Sequence, residues 1–336
     1  MTYLIITVAT FALIYAVAAA ALNVRWGWAG EFDFLVYALL AVGAYTYAVV
    51  VLPPAPPDDT GLTYIFGLRQ SPVVGALAAV AVCSVLSLVI GAIALRSLRQ
   101  VYFGITTFAT VLILSAVITQ QTSLFNGFTG VFGVEQPFNS TLNLSPSNYH
   151  IFFLVLCAVI VLGVYLLLQR IFWSPFGVAL RAIREDEVAA AAFGHDPYRA
   201  RIKAYILGGG LAGLSGALLM AYIGAFNPQA WSPIETVLLF AAIIIGGTGN
   251  MMGAILGSVI VFGLILEGTQ FLPPIPAFPN AEAALRAIAV GLVMLAFLRW
   301  RPQGVLPEQH YLDIPRVRDD PLRRLVRVVA SKGASE

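Results

Sequence analysis

The chain is 336 residues long, with 59% hydrophobic and 11% charged residues and a mean hydropathy of +0.86. Soluble domains average about 45–50% apolar and about 25% charged residues, so this composition excludes a water-soluble enzyme, and its apolar content excludes a disordered chain. The formal net charge of +2 gives no indication of a nucleic-acid partner. The composition predicts an all-α fold, that of a polytopic helical membrane protein.

Apolar runs follow one another along the chain, and about 20 apolar residues are enough to cross the hydrocarbon core of a bilayer. They cover residues 3–22, 34–52, 72–95, 101–119, 151–168, 202–223, 234–245, 251–266 and 283–298. The last three are short, so we predict about eight to ten crossings. The alanines at 18–20 could imitate the cleavage site of a signal peptide, but no Lys or Arg precedes the first run as such a signal requires.

Two glycine-containing clusters interrupt this pattern. The first is RWGWAGEFDF at residues 25–34, and the second is GGTGNMMG at residues 246–253. Because glycine costs about 1 kcal/mol in a helix interior, we expect both clusters to break a helix. Paired broken helices in two related halves of a chain are typical of a transport site near the membrane midplane. The candidate pathway residues are Gly27, Gly30, Asp33, Glu235, Gly246, Gly247, Thr248, Gly249 and Asn250.

Close helix packing is a second interpretation of these glycines. Gly249, Gly253 and Gly257 are four residues apart, which would place small residues in one stripe along a helix. The run GGLAGLSG at residues 209–216 lies inside an apolar span, so it favours close packing over a nucleotide-binding loop. For both clusters the sequence leaves open whether they line a solute pathway or are ordinary loops and close helix contacts.

Four carboxylates fall close to the predicted spans: Glu31, Asp33, Glu235 and Glu267. An ionisable residue at membrane depth is costly and is therefore a candidate for function. Each of the four also lies near the end of an apolar run, so a position at the membrane surface explains it equally well.

A polar stretch at residues 174–200 predicts a helical hairpin outside the membrane. It begins with Ser-Pro, and an Asp-Pro pair follows Gly194 near its end; both pairs are start signals of a helix. Gly194 suits the left-handed residue after a helix end. Arg181 and Glu185 are expected to pair across one helical turn. A connector without function would have the same appearance.

The distribution of positive residues predicts the orientation. Lys and Arg are concentrated in residues 169–203 and again after residue 298, which places both segments in the cytoplasm. The chain then divides into a transmembrane domain at 1–298 and a basic cytoplasmic tail at 299–336. The N-terminus and the loops at 53–59 and 120–149 fall outside.

The sequence RAIREDEVAAAAFG, from Arg181 to Gly194, resembles the coupling-helix region of branched-chain amino-acid ABC importer permeases, most closely their LivM-type subunit. The likeness extends over roughly residues 22–307, through GWAG at 27–30, GAY at 43–45, SPIETVLL at 232–239, IGGTG at 245–249 and GAILG at 253–257.

This resemblance implies a permease subunit that is not an enzyme, has no catalytic residue, and binds no cofactor or metal itself. It implies four kinds of partner: a second homologous permease, two ABC ATPase subunits that bind ATP and Mg, an extracytoplasmic solute-binding protein, and the lipid bilayer. The chain has no GxxxxGK[ST] phosphate loop, in keeping with ATPases on separate subunits. The helix from Glu185 to Gly194 would lie in a groove of the ATPase. The implied contact residues are Arg181, Arg184, Glu185, Asp186, Glu187, Ala189, Ala190 and Gly194.

The chain departs from the family's pattern in two places. Val188 stands where the general importer motif has Glu, and Glu187 comes one position earlier. After Gly-x-Ala-Gly the family continues with Ser or Asn, then Gly and a polar residue, whereas this chain has Asp33, Leu35 and Val36. The acidic side chain could pair with the ammonium group of a solute, or it could lie at the cytoplasmic surface.

The sequence therefore predicts a multi-pass permease of a bacterial or archaeal cytoplasmic membrane that imports branched-chain or related hydrophobic amino acids. A permease for urea or short amides is the nearest alternative. An ion-driven secondary transporter with Glu235 or Glu267 as a relay is a second. An intramembrane enzyme is disfavoured, because the spans contain no nucleophile–base pair and no metal cluster.

Overall fold

The computed structural model describes residues 2–54, 66–97, 100–122, 126–139, 145–228, 233–267 and 281–308. Its α-helices are α1 (Thr2–Leu22), α2 (Leu35–Val51), α3 (Pro72–Ser97), α4 (Gln100–Gln120), α5 (Pro146–Phe172), α6 (Pro175–Glu185), α7 (Glu187–Ala192), α8 (Pro197–Ile223), α9 (Pro233–Gly246), α10 (Met251–Ser258) and α11 (Ala281–Trp300). Two π-helical segments, Asn23–Trp28 and Val259–Glu267, continue α1 and α10, and a 3-10 turn covers Gly127–Thr129. The strands β1 (Val131–Phe132) and β2 (Ala225–Phe226) pair antiparallel.

The apolar helices match the apolar runs of the sequence. Among the described residues, five helical segments are long and apolar enough to cross a membrane: Tyr3–Trp28, Pro72–Arg96, Tyr102–Gln120, Asn148–Phe172 and Pro197–Ile223. Four shorter apolar helices cover Leu35–Val51, Thr236–Gly246, Met251–Glu267 and Ile288–Trp300. The predicted polytopic helical membrane fold is confirmed.

The helices alternate in direction between two ends of a bundle. At one end the Tyr3 hydroxyl of α1 lies 2.7 Å from Nε2 of His150 on α5, and Nδ1 of His150 lies 3.2 Å from the Tyr222 hydroxyl of α8. At the other end the Tyr198 hydroxyl of α8 donates to the carbonyl oxygen of Ala92 on α3. Helices α6 and α7 lie at this second end, which we call the α6–α7 end.

Helix α8 packs in the centre of the bundle because glycines let its neighbours approach. A Cβ atom on Gly43 of α2 would lie 2.5 Å from the carbonyl oxygen of Gly213 on α8. A Cβ atom on Gly216 would lie 1.7 Å from the carbonyl oxygen of Leu40. Both obstacles are backbone atoms, so a larger residue would force the helices apart. The packing role predicted for residues 209–216 is confirmed.

The outer faces of α3, α4 and α5 present large apolar side chains to the surroundings. Ile93, Ile113 and Val159 are 71%, 62% and 61% exposed. In water such surfaces would be unfavourable, whereas lipid accommodates them without cost. A core of small residues inside an apolar exterior is the arrangement expected of a helical bundle in a bilayer.

The first helix break begins later than predicted. Residues 23–28 remain helical as a π segment, and the amide groups of Ala29 and Gly30 still donate to the carbonyl oxygens of Val24 and Trp26. The break is confined to residues 29–34, where Gly30 has a φ of +77°. A π-helical segment changes the hydrogen-bond spacing but keeps the chain helical, so the glycine at position 27 does not end the helix.

The packed part of the chain extends beyond the predicted domain boundary at residue 298. Helix α11 ends at Trp300, and residues 301–308 then fold back onto the bundle. There the amides of Val305 and Leu306 donate to the carbonyl oxygens of Ile245 and Gly246 at the end of α9. The remainder of the predicted basic tail, residues 309–336, lies outside the described residues, as does most of the predicted loop at 53–59.

Candidate functional site

The polar hairpin contains the capping interactions that its sequence predicts. Ser174 Oγ accepts from the Gly177 amide at 3.4 Å, and Asp196 Oδ1 accepts from the Arg199 amide at 3.0 Å. Gly194 has a φ of +88°, the left-handed conformation expected of it.

One prediction about the hairpin is wrong: Glu185 to Gly194 is not a single helix. Asp186 has extended backbone angles, ends α6, and accepts from the Ala189 amide at 3.0 Å to cap α7. A short polar residue in extended conformation is a typical helix N-cap. The hairpin therefore has a separate short helix, α7, at its tip.

The tip of the hairpin is strongly exposed and partly apolar. Val188 is 80% exposed and Phe193 is 86% exposed, and Ala189 is exposed between them. Ala190 faces the bundle and is only 4% exposed, so it presents no surface of its own to another molecule. Exposed large apolar residues rimmed by charged ones are typical of a protein interaction surface.

Arg181 anchors α6 instead of forming the predicted pair with Glu185. Its Nε and Nη2 donate to the carbonyl oxygens of Gly177 and Phe172, and its guanidinium lies 3.8 Å from the centre of the Phe172 ring. Glu185 contacts Arg184 at 2.8 Å instead. The start of α6 is thereby fixed to the end of α5.

Arg184 connects α6 to two other parts of the bundle. Its Nη1 donates to the carbonyl oxygen of Gly27 at the end of the first helix, and its Nη2 lies 2.9 Å from Glu308 Oε2. A charged donor with several acceptors in partly buried surroundings holds its partners firmly. Glu308 lies at the end of the folded-back segment, and no sequence pattern predicted its contact with Arg184.

The second helix break contacts the end of the first helix at this same end. The Trp28 indole donates to the carbonyl oxygen of Gly249 at 3.1 Å, and the Gly249 amide donates to Asn23 Oδ1 at 2.9 Å. Asn250 caps α10 through the amides of Met252 and Gly253 at 3.0 and 3.3 Å.

Glycine is needed in the second break itself. Gly247 and Gly249 have φ values of +121° and +81°. A Cβ atom on Gly247 would lie 1.9 Å from the carbonyl oxygen of Leu306. Gly253 packs closely on α9, but Gly249 lies in the break, so the predicted stripe of three packing glycines does not include it.

Arg201 links the first break to α7. Its Nε lies 2.9 Å from Glu31 Oε1, and its Nη2 lies 2.9 Å from Glu187 Oε2. These two ion pairs form what we call the Arg201 bridge. Burial raises the pKa of Glu31 from 4.5 to about 7, although the positive charge of Arg201 acts in the opposite direction.

Behind the bridge, Arg25 and Asp33 form an ion pair that is 0% exposed. Arg25 Nη1 lies 2.5 Å from Asp33 Oδ2, while its Nη2 donates to Ser87 Oγ at 2.7 Å and to the carbonyl oxygen of Tyr205 at 2.8 Å. The sequence reasoning missed Arg25, although a lone arginine eight residues before an aspartate in apolar surroundings could have indicated the pair.

Apart from Glu235, the predicted pathway residues and the predicted hairpin contacts thus form one connected region. Gly27 contacts Arg184 of α6, Gly30 precedes Glu31 of the Arg201 bridge, and residues 246–250 contact the folded-back segment at 301–308. Glu235 is the third residue of α9, at the end remote from the break. Among the described residues, no group of three or more His, Cys, Asp or Glu side chains could hold a metal ion.

Comparison with known proteins identifies the family. A family model described as "Branched-chain amino acid transport system / permease component" matches residues 4–298. The chain is 28% identical to a probable branched-chain amino acid transport permease protein LivM of Methanocaldococcus jannaschii, over 90% of this chain and 93% of that protein. It is 26% identical to the high-affinity branched-chain amino acid transport system permease protein LivM of Escherichia coli, over 90% of this chain and 70% of that protein.

A probable LivH permease of Methanocaldococcus jannaschii is 30% identical over 60% of this chain and 62% of its own length. No solved structure matches the chain. The family model covers both helix breaks and the whole α6–α7 hairpin, so the match includes nearly all of the site described above. The chain belongs to the family of permease components of branched-chain amino acid transport systems.

Proposed function

We propose that this chain is the LivM-type permease of an ATP-driven importer, and that it moves branched-chain or related hydrophobic amino acids across the cytoplasmic membrane. The names of its relatives support this cargo, and the match over most of the chain supports the role. A second, related permease would complete the membrane unit. Two ABC ATPase subunits would bind ATP and Mg, and an extracytoplasmic binding protein would deliver the solute.

The observation on which this proposal rests is the construction of the hairpin. Its tip is exposed and apolar, as a docking element must be. Arg184 ties α6 to the end of the first helix and to Glu308, and the Arg201 bridge ties α7 to the first break. A displacement of α7 by an ATPase would therefore be transmitted to the first break, and to the second break through the contacts of Asn23 and Trp28 with Gly249. Coupling through contiguous ion pairs and rigid helices needs two discrete arrangements of these contacts.

Orientation follows from the charges at the α6–α7 end. Apart from the fully buried Arg25, the described basic residues at that end are Arg96, Arg170, Arg181, Arg184, Arg199, Arg201, Lys203, Arg299 and Arg301. Positive residues close to the ends of membrane helices favour the cytoplasmic side. With α6 and α7 in the cytoplasm, they face the compartment in which ATP is bound, and β1 and β2 face outside.

The chemistry of transport would then consist of binding and conformational change. ATP binding on the partner subunits would favour one arrangement of the two permeases, and hydrolysis would release it. A ligand shifts such an equilibrium only by its difference in affinity for the two states, so α7 must bind the ATPase differently in each.

Reconstitution tests this function. The chain is co-expressed with the second permease and the ATPases, placed in liposomes, and supplied with leucine-loaded binding protein outside. We expect uptake of radiolabelled leucine that requires internal ATP. Uptake by the chain alone in an ion gradient would contradict the proposal and support a secondary transporter, and uptake of urea in place of leucine would overturn the cargo.

A substitution at the tip tests the docking element separately. Ala189→Arg should abolish co-purification of the ATPases and ATP-dependent uptake, because a large charge would block the docking surface. Ala182→Arg, on an exposed face of α6, is the matched control and should retain both. Membrane insertion of both variants should be unchanged, and normal assembly of Ala189→Arg would count against the docking role.

A further inference from the structure

Five aromatic rings meet where the first helix break contacts α4 and α9. The Phe32 ring stacks on Phe240 with 4.6 Å between centroids, and it meets Phe34 and Trp26 edge-on at 5.1 and 6.1 Å. Phe108 packs against Phe34 at 5.4 Å. Phe240 is buried, whereas Phe32 and Phe108 are 39% and 38% exposed. We call these five residues the aromatic cluster; it is a continuous apolar wall with one open side.

The neighbours of Phe32 are fixed to helices. The Phe34 amide donates to Thr107 Oγ1 of α4 at 3.2 Å, and its carbonyl oxygen accepts from Thr236 Oγ1 of α9 at 3.1 Å. Phe32 lies in the break itself, and a Cβ atom on Gly104 of α4 would lie 3.2 Å from its Cδ1. Phe32 therefore rests against α4 without belonging to a helix.

The residue before Phe32 is part of the Arg201 bridge. Glu31 is joined through Arg201 to Glu187 of α7, each contact being 2.9 Å long. One residue earlier, Gly30 has a φ of +77°, a conformation in which glycine is the least strained residue and which suits a pivot. A shift of α7 would pass from Glu187 through Arg201 to Glu31, and Phe32 is the next residue along the chain.

We propose that Phe32 is the moving element of a hydrophobic gate in the solute pathway, and that α7 drives it through the Arg201 bridge. A constriction of apolar side chains blocks a polar solute because it excludes water, and it opens when one side chain withdraws. With Phe32 in the cluster, the gate at the α6–α7 end is closed. This inference rests on the proposed function, since a gate requires both a solute pathway and a driving subunit.

Exposed aromatic rings near a membrane surface also occur as a belt against lipid. A belt predicts that the surroundings of Phe32 are the same in every nucleotide state. A gate predicts that water reaches Phe32 in one nucleotide state and is excluded from it in another. The two interpretations therefore differ in one measurable quantity, the access of water to position 32 in the assembled transporter.

Thiol labelling measures this access. The two natural cysteines, Cys83 and Cys157, are 0% exposed, so the chain offers little background. Phe32→Cys is introduced, the complete transporter is assembled in nanodiscs, and labelling of this chain by a charged, water-soluble maleimide is followed without nucleotide and after trapping with ATP and vanadate. We expect the labelling rate to differ by about fivefold or more, the lower end of the range for coupled sites.

Two further variants make the result specific. Phe128→Cys, 61% exposed in the turn before β1, is the control and should be labelled equally in both states. Glu187→Gln in the Phe32→Cys background should abolish the nucleotide dependence, because it removes the α7 end of the bridge. If Phe32→Cys does not assemble, Phe108→Cys takes its place with the same expected change.

The outcomes separate the gate from the proposed function. Equal labelling at position 32 in both states, or none in either, in a transporter with normal ATP-driven uptake would overturn the gate and leave the function intact. A nucleotide dependence that survives Glu187→Gln would overturn the drive through the bridge. Absence of ATP-driven uptake in the unmodified transporter would overturn the function and the gate together.

Discussion

Arg25 is a fully buried charge whose surroundings are built to receive it. A Cβ atom on Gly208 would lie 2.7 Å from its Nε, and one on Gly209 would lie 2.8 Å from its Nη2 and 1.9 Å from Ser87 Oγ. The consecutive glycines of α8 thus form a notch for the guanidinium. Asp33 supplies the opposite charge and also accepts from the Leu35 amide at 2.8 Å, so the pair joins the start of α2 to α8.

Substitution of either charge should be far worse than substitution of both. Arg25→Met leaves Asp33 buried without its partner, and the loss of one member of a buried pair costs about 3–5 kcal/mol. The same holds for Asp33→Leu. In the double variant most of this loss should disappear, because an apolar pair leaves no buried charge. Unfolding of the purified permease in denaturing detergent measures the cycle, and simple additivity of the two single effects would contradict the ion pair.

Glu31 should make stability depend on pH. Its pKa is raised from 4.5 to about 7 in the fold, so the folded chain binds the proton more tightly than the unfolded chain. The stabilising contribution of the protonated group is complete below pH 4.5 and is lost as the pH rises to about 7.

Glu31→Gln, which cannot titrate, should therefore remove part of the decline in melting temperature between pH 5 and pH 8. Thermal unfolding of the two proteins across this range provides the measurement. Parallel curves for the variant and the unmodified chain would show that the raised pKa of Glu31 does not contribute.

At the scale of single elements, the sequence predicted those interactions that form between residues close together along the chain. Ser174, Asp196 and Gly194 end or start helices through neighbours within a few residues, so their roles could be predicted. The Arg201 bridge and the contact of Glu308 with Arg184 join residues that are distant along the chain, so they could not be predicted. The pathway role assigned to the helix breaks stays a prediction.

Packing around α8 gives a prediction with a matched control. Gly216→Ala places a methyl group against the carbonyl oxygen of Leu40, and overpacking of this kind costs about 1–3 kcal/mol. A Cβ atom on Gly163 of α5 would meet nothing within 4 Å, so Gly163→Ala should be neutral or stabilising by up to about 1 kcal/mol. Detergent unfolding compares the two variants, and equal effects would contradict the close approach of α2 and α8.

Across the whole molecule, the alternating helices place the hairpin tip and the β1–β2 pair at opposite ends. Val188 is 80% exposed at the tip, and Phe128 is 61% exposed in the turn before β1. With the α6–α7 end in the cytoplasm, an impermeant thiol reagent added to intact cells should label Phe128→Cys and not Val188→Cys. Permeabilised cells should show labelling of both. The reverse pattern in intact cells would invert the orientation.

Transmission of movement from a docked ATPase to the helix breaks requires the tip of α7 to touch that partner. A photoreactive benzophenone side chain in place of Phe193, which is 86% exposed, tests this contact in the assembled transporter. We expect a covalent product between position 193 and the ATPase subunit. The same photoreactive group in place of Phe128 should give no product with the ATPase. A transporter that remains active while position 193 reacts only with lipid, or with no polypeptide, would contradict transmission through α7.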